Sequence, residues 1–227
     1  MDKEQEEKLI NLTQTGYEKI AGEFSDTRQK FWEEFSPFLD YLKSGMNVLD
    51  VGCGNGRFYT EAKIRGLKYE GVDFSPSLIN LAREKHPDGN FKIAEARSLP
   101  YENGIFDAVV SFAVIHHLPG NTQAEALREI KRVLKPGGII IASVWDLWAT
   151  KKKEIILSRL KDVLSKNKLP LGDIVLPFGV HQNARYLHAF RKKELENLAK
   201  NAGFESVSVK QINMKGLQSN LILTAKT

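Results

Sequence analysis

The stretch "LDVGCGNGRF", Leu49 to Phe58, decides the fold. A nearly continuous apolar run, "MNVLDV" from Met46, leads into three glycines at 52, 54 and 56. Unbroken apolar character is what a strand buried on both faces requires. Glycine inside an element costs roughly 0.5–1 kcal/mol relative to alanine, so three together imply that backbone must come close to something. The stretch Arg57–Gly66, "RFYTEAKIRG", then reads as a helix closed by glycine. Strand, glycine loop and helix in that order form a nucleotide-type loop. The dinucleotide fingerprint G-x-G-x-x-G would need glycine at 57, where Arg57 stands, and no Gly-Lys-Ser/Thr follows to make a P-loop. What remains is G-x-G-x-G preceded by Asp50.

Outward from this loop the pattern alternates. "KYEGVDFS" reads as a second strand, and "PSLINLAREKH" as a helix with Ser75 as N-cap and Pro76 at its first position. "NFKIAEA" and "IFDAVVSFAV" are the third and fourth strands; "AEALREIKRVLKPGG" is a helix stopped by Pro136 and two glycines; "IIIASVW" is the fifth strand. This rhythm predicts a Rossmann-like α/β fold: a mostly parallel sheet with helices on both faces, whose ligands bind beyond the carboxyl ends of the strands. Two more strands, "SVSVKQI" and "SNLILTAK", follow a last helix, "RKKELENLAKNAGF". A short connection containing Gly216 joins them, so the seventh and last strand is expected to run antiparallel. Two helices, roughly 3–22 and 29–43, open the chain; after Trp145 a basic helix, about 151–166, and a long loop through 168–190 interrupt the rhythm.

The 227 residues suit one domain, and 42% hydrophobic with 27% charged residues is ordinary globular composition. One cysteine allows no intrachain disulfide and no cysteine-rich zinc site. The polar start, "MDKEQEEKLINL", lacks the apolar run of a signal peptide, and no stretch reaches the ~18 apolar residues of a membrane span, so a cytoplasmic protein is expected. Seven basic residues against two acids between Lys151 and Lys168 give an excess of five, equal to the net charge of the whole chain. A basic patch on a neutral body suits a polyanionic partner, and a solvated helix face is the alternative.

The polar residues at the strand ends narrow the ligand. Asp73, closing the second strand, suits the two hydroxyls of a ribose. After the third strand, Glu95 suits an exocyclic amine and the backbone of Ala96 a ring nitrogen. No lysine is placed to hold phosphate, and Asp50 near the glycines would repel a pyrophosphate while suiting a cationic amino-acid tail. An adenosine without phosphates that carries such a tail is S-adenosylmethionine.

From Met46 to Trp145 the chain resembles the class I S-adenosylmethionine-dependent methyltransferases, through "VLDVGCGNGRF", "GVDFSPSLINLAREK", "SLPYENGIFDAVVSFAVIHHL" and "EIKRVLKPGGIIIASVW" in order. Its flanks, "YEKIAGEFSDTRQKFW" and "RYLHAFRKKELENLAKNAGF", resemble the branch that methylates carboxymethyluridine at the tRNA wobble position, although Phe31 and Glu33 stand where that branch has prolines. The resemblance implies S-adenosylmethionine held by Tyr17, Asp50, Gly52, Gly54, Asn55, Gly56, Asp73, Phe74, Glu95, Ala96 and Ala113. It implies a carboxylate acceptor held by Arg28, Arg185 and His188. Arginine suits that task because its planar fork binds a carboxylate through two bonds, and a carboxylate, ionised at neutral pH, needs no base. His116 and His117, after the fourth strand, read as lining, with general base the lesser alternative and no metal expected. Trp145 and Trp148 are candidates to stack on a base or line the pocket.

The expected organisation is one methyltransferase domain with an N-terminal helical lid (1–45), a cofactor-binding core (46–146), a basic substrate cap (147–190) and a last helix with its strand pair (191–227). The implied partners are tRNA, through the basic segment 151–168, and a small activating subunit; no membrane is expected. A methyltransferase of a small molecule such as a quinone precursor is the alternative enzyme. A non-catalytic module is disfavoured, because it would not need Asp50, the glycine loop and Asp73 together.

Overall fold

The computed structural model describes residues 1–163 (side chains to 157), 169–179, 183–215 and 219–227. Seven strands form the main sheet: β1 (Asn47–Val51), β2 (Lys68–Asp73), β3 (Phe91–Ile93), β4 (Phe106–Phe112), β5 (Leu134–Trp145), β8 (Glu205–Asn213) and β9 (Ser219–Lys226). Their order is β3-β2-β1-β4-β5-β9-β8. β1 to β5 pair in parallel, and β9 runs antiparallel to both β5 and β8, so the last strand alone is reversed, as the short hairpin connection predicts. Gly216, in that connection, lies outside the described residues.

Alternation along the central strands splits the core in two. Leu49, Val51, Val109 and Ile140 pack with Leu127 and Ile130 of helix α6 (Thr122–Val133) and Leu195 of α9 (Lys192–Asn201). Val48, Val110 and Ile141 pack on the other face, with Ala62 of α4 (Tyr59–Ile64), Ile79 and Ala82 of α5 (Pro76–Lys85), and the aromatics Phe35, Phe38 and Phe58. Strand order reverses between β1 and β4, so the crevice for a ligand opens at their carboxyl ends, beside Gly52 and Ala113.

Three boundaries differ from the sequence reading. The expected helix over 29–43 is only a 3-10 turn (Glu33–Phe35) and one helical turn, α3 (Ser36–Leu39). Phe35, Phe38, Leu39 and Leu42 have helical spacing and are buried, but Pro37 lacks the N–H and the steric room that a continuous helix needs. Helix α6 stops at Val133, and "LKPGG" already belongs to β5, with a register shift between Phe106 and Ala108 absorbing the glycines. The expected loop of 168–190 contains a hairpin, β6 (Asp173–Phe178) and β7 (Asn183–His188), paired antiparallel with Pro177 opposite Ala184. Both strands are edges of a two-stranded sheet, where proline is tolerated.

Helix α1 (Lys3–Lys19) lies across this hairpin. Thr13 Oγ1 accepts a hydrogen bond from Tyr186 N at 3.0 Å, and Gly16 passes so close to Ala184 that a Cβ would stand 2.8 Å from its carbonyl oxygen. Glu6 accepts from Asn121 N, and Glu18 from the hydroxyls of Ser75 and Ser77. Helix α1, the short α2 (Ala21–Thr27) and the hairpin therefore roof the crevice. No described helix is long and apolar enough to cross a membrane.

Candidate active site

Under that roof lies a cavity of about 880 Å³. Its floor is the glycine loop: Gly52, Cys53, Gly54 and Asn55, with Asp73 and Phe74 at the end of β2 and Ala113 at the end of β4. Its roof and far wall are Tyr17, Phe24, Arg28, Leu176, Arg185 and Leu187, and its rim includes Glu95, Ala96 and Lys151.

The glycines answer two needs. Gly52 has φ +77°, and a Cβ there would stand 2.2 Å from Val114 Cγ2. At Gly54, φ +55°, the backbone N–H donates to Asp73 Oδ2 at 2.9 Å. Ser75 N donates to the other oxygen, Oδ1, at 2.9 Å. Each carboxylate oxygen has two acceptor positions, so one on each is left for a diol. Burial lifts the Asp73 pKa to about 6 against the pull of its backbone donors. Among the described residues, Ala113 is one of two non-glycine residues at positive φ, +60°, a strained conformation of the kind that clusters at functional sites.

Nine of the eleven residues expected around the cofactor line the cavity: Tyr17, Gly52, Gly54, Asn55, Asp73, Phe74, Glu95, Ala96 and Ala113. Asn55 spends its amide on the roof, donating to Ser25 Oγ at 3.0 Å and to Arg28 O at 3.2 Å. Glu95 pairs with Arg97, which reaches Glu7 on α1 with its other arm. Asp50 and Gly56 do not line the cavity; both lie behind its wall. Asp50 is buried and accepts from Tyr69 Oη at 2.9 Å; burial lifts its pKa to about 7. Gly71, opposite Asp50 in β2, leaves the room that Tyr69 uses, since a Cβ there would stand 2.7 Å from the phenol oxygen. Gly56 makes space for Phe91 and His86 instead.

Of the three residues expected at the acceptor, Arg28 and Arg185 line the cavity and His188 does not. Arg185 lies over Trp145 and Phe178, its Cζ 4.6 and 4.2 Å from their ring centroids, and Arg28 lies over Phe24 at 4.3 Å. Nε and Nη1 of Arg185 are buried without a hydrogen-bond partner among the described residues. Burial lowers the pKa of Arg28, and Arg185 adds repulsion to that. A third guanidinium, Arg57, also lines the cavity, over Trp32 at 3.4 Å. The sequence reading used Arg57 only to exclude a dinucleotide loop; a cation beside the glycines was the available signal.

His188 is held on the opposite face of β7, between Asp173 Oδ1 and Glu194 Oε1, the latter at 2.9 Å. Burial alone would discharge it, but the two carboxylates hold its pKa up at about 9. Raised from 6.5, that pKa favours the folded state by about 3 kcal/mol below pH 6.5, a contribution lost as pH rises through 9. Unfolding of His188→Gln compared with the parent should therefore show its largest deficit at pH 6 and a much smaller one near pH 10.

His117 completes the roof. Its Nδ1 faces Tyr186 O at 3.1 Å, an acceptor, so Nδ1 carries the proton and Nε2 accepts from Tyr17 Oη at 2.9 Å. Burial, with the Arg185 charge, holds its pKa near 3, so it is neutral across the working range. Trp145 lines the cavity, whereas Trp148 donates its indole N–H to Ala189 O at 2.7 Å and packs in a small core.

A methyltransferase-domain family model matches residues 23–209, and the chain belongs to the class I S-adenosylmethionine-dependent methyltransferases. The cavity fits their cofactor: an acid at the end of β2 whose two oxygens each accept one backbone hydrogen bond, and a glycine loop open to the cavity. Among relatives, the tRNA (carboxymethyluridine(34)-5-O)-methyltransferase of Arabidopsis thaliana is 39% identical over 134 residues, 57% of this chain and 31% of that protein. The protein of the same name from Schizosaccharomyces pombe is 31% identical over 209 residues, covering 82% of this chain and 86% of its own. The chain thus spans less than a third of the Arabidopsis protein, and 28% of the Xenopus tropicalis one. A Methanosarcina mazei methyltransferase structure shares the fold, with a TM-score of 0.72 at 22% identity over 87% of this chain and 98% of that one.

Proposed function

We propose that this chain transfers a methyl group from S-adenosylmethionine to the carboxylate of a carboxymethyl group on a tRNA wobble uridine. The observation that carries the acceptor's chemistry is Arg185: a guanidinium that lines the cavity and whose Nε and Nη1 are buried without a hydrogen-bond partner among the described residues. An anion with two oxygens matches that fork. The relatives named for this reaction, one aligned over 82% of this chain, support the RNA reading over a small-molecule acceptor.

The cofactor supplies an electrophilic methyl on a sulfonium, so the acceptor oxygen gains a bond as the carbon–sulfur bond breaks, and no proton moves. The protein's work is therefore positioning and desolvation. Asp73 fixes the ribose, and Arg28 and Arg185 turn the acceptor carboxylate toward the methyl. Tyr17, its hydroxyl proton committed to neutral His117, closes the site without acting as an acid or base.

Lys151, at the cavity rim, and Lys152 and Lys153, which open helix α8 (Lys152–Val163), are exposed. The side chains of Arg159 and Lys161, and residues Lys166 and Lys168, lie outside the described residues. In this reading the lysines contact tRNA phosphates. Reversing all three to glutamate should abolish tRNA binding and leave cofactor affinity unchanged, because phosphate contacts set affinity and its salt dependence. The same salt slope in the variant as in the parent would make this a solvated face. The deciding assay offers labelled cofactor with total tRNA, then with a lipid extract. Label in tRNA supports the proposal and label in lipid favours a quinone-type acceptor. Cofactor binding without transfer to either counts against the proposal.

A further inference from the structure

Trp32 and Arg57 line the active cavity and also a second, outer groove of about 310 Å³ that contains Lys30; among the described residues no other is common to both linings. The groove is at the small end of the ~300–1,000 Å³ of ligand pockets. Its two acids are engaged, Glu61 by Arg65 at 2.6 Å and Glu33 by Lys215 at 2.8 Å. Among the described residues, neither Lys30 nor Arg57 makes an ion pair. Arg57 is held over the Trp32 ring and is mostly buried, with Arg28 close enough for mutual repulsion. Arg57 remains cationic at neutral pH, its pKa lowered by burial to about 9.

A partition that turns a guanidinium and an indole toward two neighbouring cavities suits a ligand that passes from one to the other with negative charge at the crossing. Single-stranded nucleic acid has that form: stackable bases separated by phosphodiesters. We propose that Arg57 and Lys30 bind the phosphodiester adjoining the acceptor nucleotide and that the outer groove, with Trp32 as its platform, receives the next nucleotide. This rests on the RNA acceptor proposed above.

The test compares single-turnover methylation of carboxymethyluridine as the free nucleoside and as the middle residue of a trinucleotide, alongside calorimetry of S-adenosylmethionine. The parent should use the trinucleotide at least ten-fold better in KM. Lys30→Ala should lose most of that advantage and keep the nucleoside rate within two-fold. Arg57→Gln should fall further on the trinucleotide than on the nucleoside, with cofactor affinity within two-fold of the parent. Binding of the trinucleotide should lose about one unit of salt slope per removed cation. A trinucleotide advantage that survives both substitutions overturns this subsite and leaves the acceptor standing. A ten-fold loss of cofactor affinity in Arg57→Gln assigns that guanidinium to the cofactor's own carboxylate and also overturns it. Failure of the parent on both acceptors overturns the acceptor reading and this subsite together.

Discussion

Asp73→Ala is expected to weaken S-adenosylmethionine binding by at least ten-fold while the protein still folds. Two charge-assisted bonds to the ribose are lost, each worth about 1.5–3 kcal/mol. The effect on folding is smaller because two terms oppose. Removing the carboxylate orphans Gly54 N and Ser75 N, at about 1–3 kcal/mol each. It also removes the cost of keeping a buried carboxyl ionised at pH 7, about 3 kcal/mol for a pKa lifted from 3.8 to about 6. Because the lifted pKa disfavours the folded state at neutral pH, that cost is relieved as pH falls through 6 toward 3.8. Binding has the opposite sign. A diol donates to the ionised carboxylate, so affinity in the parent should be level above pH 7 and decline as pH falls below 6. Calorimetry at pH 5, 6 and 8 reads both effects, and an unchanged dissociation constant in Asp73→Ala would remove Asp73 from the site.

The second large effect is on turnover. Arg185→Ala should lower the single-turnover rate on a carboxylate acceptor by about 10²-fold or more, because the fork's two charge-assisted bonds are each worth about 1.5–3 kcal/mol. Arg185→Lys should restore only part of the rate, since an ammonium cannot reproduce the planar pair of donors. Cofactor affinity should stay within two-fold in both variants. With cofactor saturating, the parent's rate should be nearly flat from pH 6 to 8, because the acceptor is already ionised and His117, with a pKa near 3, holds no proton to exchange there. A phenol or enol would behave differently, its rate climbing with pH until its base is titrated. A ten-fold rise across that window, abolished by His117→Ala, would replace the carboxylate acceptor with a base-assisted one.

The sheet was legible because strands buried on both faces must be largely apolar, and the runs Val48–Leu49, Ala108–Val110 and Ile139–Ala142 are. The place of Asp73 on the cavity wall was legible because an acid ending a buried strand beside a glycine loop stands at the crevice. Asp50 has the same credentials, yet its side chain turns toward Tyr69, a choice that depends on Gly71 across the sheet and leaves no local mark. His188 stays off the cavity for a geometric reason. Read as loop, "RYLH" has no faces; as strand β7, its period of two puts residues 185 and 188 on opposite sides. The hairpin itself was hidden by Pro177 and by glycines at 172 and 179, which in isolation are loop signals. Arg57 was read only for the glycine it replaces.

The bond between Thr13 and Tyr186 joins positions 173 residues apart, and Glu33 meets Lys215 across 182. A ribosome makes the first member of each pair long before the second. The central strands and their helices are complete once Trp145 has emerged, whereas α1 has no hairpin to rest on until some forty residues later. Contacts this distant in sequence form late, after the loops between them have closed. The helix that carries Tyr17 is thus made before the sheet it roofs and is among the last elements to be seated. A chain arrested after β5 would own the glycine loop and Asp73 but neither Arg185 nor a hairpin to hold Tyr17 in place. In the proposed reading, the groups assigned to the cofactor are therefore made before the guanidinium assigned to the acceptor.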